Sequence, residues 1–258
     1  MWWFKKALLL CTFTKKEMWI PDLTEMPIQQ QFNLMIKKYG HDFHPIFPYD
    51  PLHDKIGSID LSDENPAFSE TVYTHPDVFT AFINERKKGF TYLMGGYAEN
   101  RAMYSRSKIF DRNLREDGID NEPRTLHLGI DVWCDAHTVL FAPLGGMVES
   151  FAYHGGDGDY GATVILQHQL ETVNFYSLYG HLSKKSLEHI RLGQVFSRGE
   201  QFATIGTPQD NGNWPPHLHL QLMFDLHNYA GDYPGVCKKS ESEYYLSNCP
   251  NPAAILKW

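Results

Sequence analysis

Two histidines near the carboxyl-terminal end of the chain stand one residue apart. The segment NGNWPPHLHLQL, residues 211–222, places His217 and His219 directly after two prolines. Side chains two residues apart on a β-strand point to the same face, so both imidazoles would enter one space, while Leu218 and Leu220 would face the other side. An isolated pair of this kind could also be two half-buried rings that only hydrogen-bond. The repeat therefore indicates a strand with one polar face, and a binding role needs further residues.

A second pair of ligand-type residues lies in HLGIDV, residues 127–132. His127 and Asp131 are four positions apart with Gly129 between them. On a straight strand their Cα atoms would be about 13 Å apart, too far to share an ion. A bend would bring them together, and glycine permits one. A helix would also bring them close, but the central glycine and the β-branched Ile130 and Val132 favour a strand.

These residues together suggest a metal centre. His127, Asp131 and one histidine of the 217/219 pair would form a set of two histidines and one carboxylate. Three protein ligands with a fourth position left open is the arrangement of catalytic zinc. His181, in LYGHLS at the end of an apolar run, is then a candidate for moving a proton. The sequence has 13 histidines, and any one of them alone is more commonly a surface or core residue.

Composition limits the class of protein. The chain has 258 residues, 42% of them hydrophobic, and a formal net charge of −8, which predicts a globular protein with a sizeable core. The acidic balance argues against nucleic acid as a partner. No apolar run reaches the roughly 20 residues that a membrane-spanning helix needs.

The amino-terminal segment MWWFKKALLLCTFTKKEMW only partly resembles a secretion signal. Its apolar run after Lys5 and Lys6 is short and has no small-residue cleavage site. An intact helix and a cytoplasmic location are therefore favoured over a periplasmic or lipid-anchored one, and Cys11 lacks the small preceding residue usual in lipoproteins. Cys237 and Cys249 are compatible with a disulfide or with two free thiols.

The pattern of apolar residues and turns changes near residue 100. Residues 1–100 predict a helical and irregular region that packs on the rest, with helices over 27–38 and 75–89. Residues 101–258 are mostly β, because short apolar runs such as HTVLFAPLGG and ATVILQHQ alternate with glycine-rich turns. The expected fold class is mainly β. We also expect the amino-terminal region to cover part of the active-site groove.

The ordered motifs carry a family resemblance. H-x-G-x-D at 127–131, YGHLS at 179–183 and H-x-H at 217–219 resemble the lysostaphin-type, LytM-like zinc metallopeptidases of family M23. The stretches APLGGMVES (142–150) and LGQVFSRGEQFATIGT (192–207) are similar to the segments between the family's motifs. The segments 94–107 and 232–255 lie outside the minimal family domain and resemble a less characterised branch, for which the resemblance implies peptidase chemistry without naming a substrate.

The resemblance implies both a fold and residue roles. The fold would be two antiparallel β-sheets that form an open groove. His127, Asp131 and His219 would bind one Zn²⁺ per chain, and His181 and His217 would be the catalytic pair beside it. Family members mostly cut peptides of bacterial cell walls.

The expected function is that of a zinc-dependent endopeptidase acting on peptides, with peptidoglycan as the candidate substrate. A non-catalytic zinc-binding scaffold or regulator, and a zinc amidase or carboxypeptidase on a small amide, remain alternatives. The oligomeric state is left open. Other polar residues are expected to be structural, although those at 97–101 could line the groove: Tyr97, Glu99, Asn100, Arg101, His41, His44, His53, His154 and His168.

Overall fold

The computed structural model describes residues 25–106 and 122–258. The expected amino-terminal helix and Cys11 lie outside these residues. Within the described ranges no helix is both long and apolar enough to cross a bilayer.

Strands dominate the described part of the chain, and four α-helices accompany them. The helices are α1 (Ile28–Tyr39), α2 (Glu70–Thr74), α3 (Pro76–Lys87) and α4 (Ser242–Asn248). The strands are β1 (Ile56–Ser58), β2 (Tyr92–Gly95), β3 (Arg124–His127), β4 (Ile130–Trp133), β5 (Val139–Phe141), β6 (Gly146–His154), β7 (Gly161–Leu170), β8 (Val173–Leu182), β9 (Val195–Phe196), β10 (Gln201–Thr204), β11 (His217–Met223) and β12 (Val236–Lys238).

Eight of these strands form one large sheet in the order β1-β2-β4-β11-β8-β7-β6-β9. Every pair in it is antiparallel except β1 with β2. Two further antiparallel pairs, β5 with β10 and β3 with β12, form small sheets. The prediction of a mainly β fold with antiparallel sheets is confirmed. The described strands divide into one large and two small sheets. The β3–β12 pair is separate because the chain leaves β3 before it enters the large sheet as β4.

The two helices predicted from the first hundred residues are present. Helix α1 occupies 28–39, against the expected 27–38, and α3 occupies 76–87 within the expected 75–89. Pro76 is at the first helical position of α3, where its missing N–H costs nothing. Gly89, just past the end, has φ +84°, a conformation that suits glycine.

The region before residue 100 also contributes strands, which the sequence did not predict. Strand β2 pairs with β4 and thereby continues the large sheet. Phe32 of α1 packs edge-on against Phe175 of β8, and Phe79 of α3 packs against Trp133 of β4. These four rings are buried, so the core is shared between the amino-terminal region and the strands that follow.

Strand β11 lies between β4 and β8 near the middle of the large sheet, and all seven of its residues are buried. Its alternation is the one expected from HLHLQLM. Leu218, Leu220 and Leu222 join the main hydrophobic core, which leaves His217, His219 and Gln221 on the other face.

Candidate metal centre and active site

Strand register brings Asp131 opposite His219. The two residues are directly paired between β4 and β11, and facing residues of an antiparallel pair project from the same side of the sheet. His127 comes from β3, which belongs to a different sheet. The bend between His127 and Asp131 is therefore a change of sheet at residues 128–129.

Gly129 is required by a close approach of β11. A Cβ atom at this position would lie 2.6 Å from Cε1 of His219 and 2.7 Å from the carbonyl oxygen of Leu220. Carbon atoms do not approach that closely without displacement. The glycine lets the chain turn directly beside the ring of His219.

Three ligand-type atoms converge at this turn. Nε2 of His127 lies 3.0 Å from Nδ1 of His219 and 3.4 Å from Oδ1 of Asp131, and the last two atoms are 3.2 Å apart. A tetrahedral zinc ion with bonds of about 2.0–2.1 Å requires ligand atoms about 3.4 Å apart. All three side chains are buried. The triangle therefore matches three corners of a zinc tetrahedron.

Hydrogen bonds behind the two imidazoles fix which nitrogen faces the centre. Nδ1 of His127 lies 2.7 Å from the carbonyl oxygen of Gly96, to which it can only donate. Nε2 of His219 lies 2.9 Å from Oε1 of Gln221, whose own Nε2 donates to the carbonyl of Pro234 at 3.1 Å. Each imidazole then presents an unprotonated nitrogen to the centre.

With these tautomers the centre consists of two nitrogen lone pairs and a carboxylate oxygen, with no proton among them. Three such acceptors within 3.4 Å of one another repel unless a cation lies between them. Two neutral imidazoles and one carboxylate, each imidazole anchored from behind, are ligands that suit Zn²⁺. The residues present therefore fit a zinc ion.

The second oxygen of Asp131 forms a buried ion pair. Nη1 of Arg101 donates to Oδ2 of Asp131 at 2.5 Å, and Nε of Arg101 donates to Glu99 at 2.5 Å. The Arg101 side chain has no exposed surface and that of Asp131 is 2% exposed. Arg101 was expected to pack or to line the groove; it is buried and contacts the candidate ligand Asp131 from behind.

His217 and His181 lie side by side next to this centre. Their ring centroids are 4.1 Å apart, and His217 also stacks on Trp133 at 4.0 Å. Nδ1 of His217 is 2.8 Å from the carbonyl oxygen of Pro215, and Nδ1 of His181 is 3.1 Å from that of Asn211. In both rings this leaves Nε2 free to accept a proton. Nε2 of His217 is 3.9 Å from Oδ1 of Asp131.

The position of His181 depends on unusual backbone geometry. Gly180 pairs with His219, so regular alternation would send the next side chain to the opposite face of the sheet. His181 has φ +61°, in the left-handed region that non-glycine residues rarely adopt. Its N–H donates to the carbonyl of Tyr160, and its own carbonyl accepts from Gly206, both at 2.9 Å. This break in the strand places the ring next to that of His217.

Burial lowers the pKa of three histidines of the site, His127, His181 and His217, and keeps them neutral. It lowers the pKa of His217 and of His127 to about 4 and holds that of His181 well below its usual value. Neighbouring imidazoles act in the same direction, and the carboxylate of Asp131 only partly opposes them. Burial would raise the pKa of Asp131, but the neighbouring His127 and Arg101 outweigh it and hold that pKa well below the usual range. A neutral imidazole at neutral pH is able to accept a proton.

The site opens into a cavity of about 350 Å³. Aromatic side chains form much of its wall, and charged residues lie among them. The lining residues are Met103, Tyr104, Arg124, Asp131, His154, Gly158, Asp159, Tyr160, His181, Trp214, His217, His219, Tyr229, Asp232, Tyr233, Pro234, Gly235 and Val236. None of the described residues before Met103 is among them. Within the described part of the chain the cavity wall therefore begins at Met103, and the expectation that the amino-terminal region covers part of the groove stays a prediction.

The other residues considered from the sequence lie outside the group of candidate ligands. Tyr97 donates to the carbonyl of Cys249 at 2.5 Å, and Asn100 accepts from Thr125 at 2.6 Å. Cys237 and Cys249 are both buried and free. Among the described residues the group of metal-ligand type contains only His127, Asp131 and His219. It does not contain His41, His44, His53, His154 or His168, of which only His154 lines the cavity.

Three groups that contact the candidate ligands were not recognised from the sequence. The carbonyl of Gly96 leaves no trace in residue type. Gln221 continues the spacing of His217 and His219 along β11, and that spacing is a signal that could have identified it. Arg101 comes from a distant segment, and only its position in the fold shows its partner.

Two histidines and one carboxylate are buried beside a cavity and leave a fourth coordination position open. Within a mainly β fold, this is a metallohydrolase type of site. Residues 125–230 match the profile of Peptidase family M23. The matched segment contains all five candidate site residues, and the family resemblance seen in its motifs is confirmed. The expected class of enzyme, a metallopeptidase, and its expected cofactor, zinc, agree with this family and with the ligand group.

Solved structures include proteins similar to part of this chain. A zinc-containing peptidase from Vibrio cholerae is 24% identical over 38% of this chain and 27% of its own, with a TM-score of 0.32. The catalytic domain of lysostaphin from Staphylococcus simulans is 19% identical over 47% of this chain and 80% of its own, with a TM-score of 0.33. The catalytic domain of a prophage-encoded M23 protein from Enterococcus faecalis is 18% identical over 54% and 83%, with a TM-score of 0.34. No curated protein sequence matches the chain significantly.

Proposed function

We propose that this protein is a zinc-dependent endopeptidase that hydrolyses peptide bonds, with peptides of bacterial peptidoglycan as its substrate. The observation that supports it best is the converging triangle of His127, Asp131 and His219 beside a cavity that also contains two further neutral imidazoles. The three residues of the triangle would be the metal ligands. The cavity leaves room for substrate on one side of them.

A zinc ion at this position supplies a Lewis acid that polarises a carbonyl group and lowers the pKa of water to about 7. The chain's own residues perform the proton transfers. Nε2 of His217 or of His181 accepts the proton of the attacking water and returns it to the leaving amine. The ring that has taken up this proton carries an Nε2–H, which can donate a hydrogen bond to the oxygen that gains negative charge. The short distance between the two rings lets both act on one peptide bond.

The test combines metal analysis with cleavage assays. We expect one zinc per chain in the wild type, and its loss in His127→Ala and Asp131→Ala. We also expect cleavage of a panel of cross-linked and linear cell-wall peptides that a chelator abolishes and added zinc restores. Zinc without cleavage of any peptide would support the scaffold alternative, and absence of zinc would contradict the proposed site.

A carboxypeptidase or amidase is the second candidate, and one feature favours it. Arg124 lies in the cavity wall, where a guanidinium group could bind the terminal carboxylate of a short substrate. Product analysis separates the two activities. Release of a single terminal residue, with a KM that rises strongly in Arg124→Gln, would indicate a carboxypeptidase, whereas cleavage at an internal bond of a blocked peptide indicates an endopeptidase.

A further inference from the structure

The ion pair between Arg101 and Asp131 joins the proposed metal centre to a segment outside the matched family domain. Arg101 lies before residue 125, where the family match begins. Its guanidinium is buried and holds Oδ2 of Asp131, while Oδ1 of the same carboxylate faces His127 and His219. The two oxygens of Asp131 therefore have different partners.

The segment 96–101 runs alongside strand β3 and is bound to it by backbone hydrogen bonds. The N–H of Ala98 donates to the carbonyl of His127, and the N–H of His127 donates to the carbonyl of Glu99, both at 2.9 Å. The N–H of Arg101 donates to the carbonyl of Thr125 at 2.8 Å. These bonds fix the guanidinium of Arg101 relative to His127, and the carbonyl of Gly96 also accepts from the ring of His127. One short segment thus contacts two of the three ligands.

Arg101 is itself held on both sides. Glu99 accepts from its Nε at 2.5 Å, and Tyr104 lies 3.3 Å from its Nη1. A guanidinium group is planar and rigid, so fixing one edge on Glu99 determines where the other edge meets Asp131. The carboxylate of Asp131 is consequently not free to rotate about its own axis.

We propose that Arg101 is a positioning residue for the metal centre, which fixes Asp131 through Oδ2 so that Oδ1 alone is presented as a ligand. This inference rests on the proposed function, because it requires Asp131 to bind metal. Arg101 acts through Asp131 and does not line the cavity. The segment before residue 125 is then part of the metal site, and the peptidase domain depends on it.

The test measures zinc affinity by competition with a chromophoric chelator in wild type, Arg101→Met and Arg101→Lys. Loss of a group that orients a ligand typically weakens metal binding about 10–100-fold, and we expect this increase in Kd for Arg101→Met. Arg101→Lys retains the charge but has no planar fork, so an intermediate increase is expected. The absorption spectrum of the Co²⁺-substituted variants should also change, because Asp131 would no longer be restricted to coordinating the metal through one oxygen.

A matched control separates positioning from general stability. Phe32→Ala removes a buried ring of the core away from the site and should lower the Tm of the metal-free protein without changing zinc affinity by more than about twofold. If Arg101→Met lowers Tm but leaves Kd and the Co²⁺ spectrum as in wild type, Arg101 is only structural and the proposal is wrong. An equal loss of affinity in Phe32→Ala would also overturn it.

Failure of the proposed function gives a different result. A wild-type protein that binds no zinc contradicts the metal centre itself and this inference with it. A wild type that binds one zinc, with both Arg101 variants at wild-type affinity, contradicts only the role of Arg101. If Arg101→Met does not fold, the Kd of Arg101→Lys is compared with that of the wild type. A higher Kd supports the role of Arg101, and an unchanged Kd contradicts it.

Discussion

Each imidazole of the site uses one nitrogen for a hydrogen bond to an oxygen acceptor and keeps the other for chemistry. For His127, His181 and His217 the acceptor is a backbone carbonyl, and for His219 it is the side chain of Gln221. Such partners determine the tautomer as well as the direction of the ring. Two of the four rings face the carboxylate of Asp131 closely, and the other two lie beside the cavity. The division of roles that we propose, between ligands and proton-transfer groups, rests on this arrangement.

That division predicts different phenotypes for neighbouring histidines. His217→Ala and His181→Ala should each retain one zinc per chain and lower kcat by about 10²–10⁴-fold, because proton transfer is lost while the three ligands stay. His127→Ala should lose both zinc and activity. Elemental analysis and steady-state kinetics on the three variants check this. If His217→Ala released zinc as His127→Ala does, His217 would be a ligand.

Among the secondary-structure elements, β11 contacts the largest share of the elements that carry site residues. It pairs with β4 on one side and with β8 on the other, and these strands supply Asp131 and His181. The turn at Gly129 packs against the same strand. A change in how closely these elements approach therefore alters the positions of ligands and catalytic histidines together.

Gly129→Ala should displace His219, because the added methyl group would overlap its ring. We expect zinc affinity to fall at least tenfold. Gly145→Ala is the matched control, since the nearest atom to its Cβ, the carbonyl oxygen of Phe196, is 3.9 Å away. Chelator competition on both variants measures the effect. Equal affinity in the two variants would show that the chain at Gly129 can shift away from β11 at no cost to the metal site.

The pairing of β7 with β8 contains a buried histidine that is not part of the site. His168 lies 2.6 Å from Ser177 and 2.9 Å from the carbonyl of Gly145, and burial lowers its pKa to about 4. The unfolded chain, with a histidine pKa of about 6.5, binds more protons between pH 4 and 6.5. The free energy of unfolding is therefore not reduced by His168 above pH 6.5, and it falls as the pH drops towards 4.

His168→Gln should remove this part of the pH dependence. For a shift of this size the contribution is about 3 kcal/mol between pH 6.5 and 4. Urea unfolding of the metal-free wild type and variant across this range compares the two slopes. Parallel curves would mean that His168 is protonated in the folded state at the same pH as in the unfolded chain.

At the scale of the whole molecule, the described residues before the family match are part of the same core. Strand β2 extends the large sheet beside β4, and rings from α1 and α3 pack onto β8 and β4. The boundary predicted at residue 100 remains a prediction. We propose that the described amino-terminal residues fold together with the peptidase segment as one unit.

This proposal predicts that a single change in α1 destabilises the whole protein. Phe32→Ala should lower the free energy of unfolding by about 3–5 kcal/mol, as for other buried phenylalanines. Leu34→Ala, on the same helix but 41% exposed, should cost about 1 kcal/mol or less. Urea unfolding followed by fluorescence and by circular dichroism measures both. A separate unfolding transition for α1, with the rest of the protein unaffected, would contradict a single folding unit.

The sequence by itself determined the mainly β class, helices α1 and α3, and the polar face of β11, because these features depend on local propensity and on side-chain alternation within one element. Its motifs also indicated the peptidase family. Only the tertiary structure decided that Arg101 and Gly96 contact the candidate ligands, since their partners lie about 30 residues away and no local rule links them. It also decided the orientation of His181, where a left-handed backbone overrides strand alternation. Spacing within a strand predicts which face a side chain takes only while the backbone stays regular, and at this site the backbone does not.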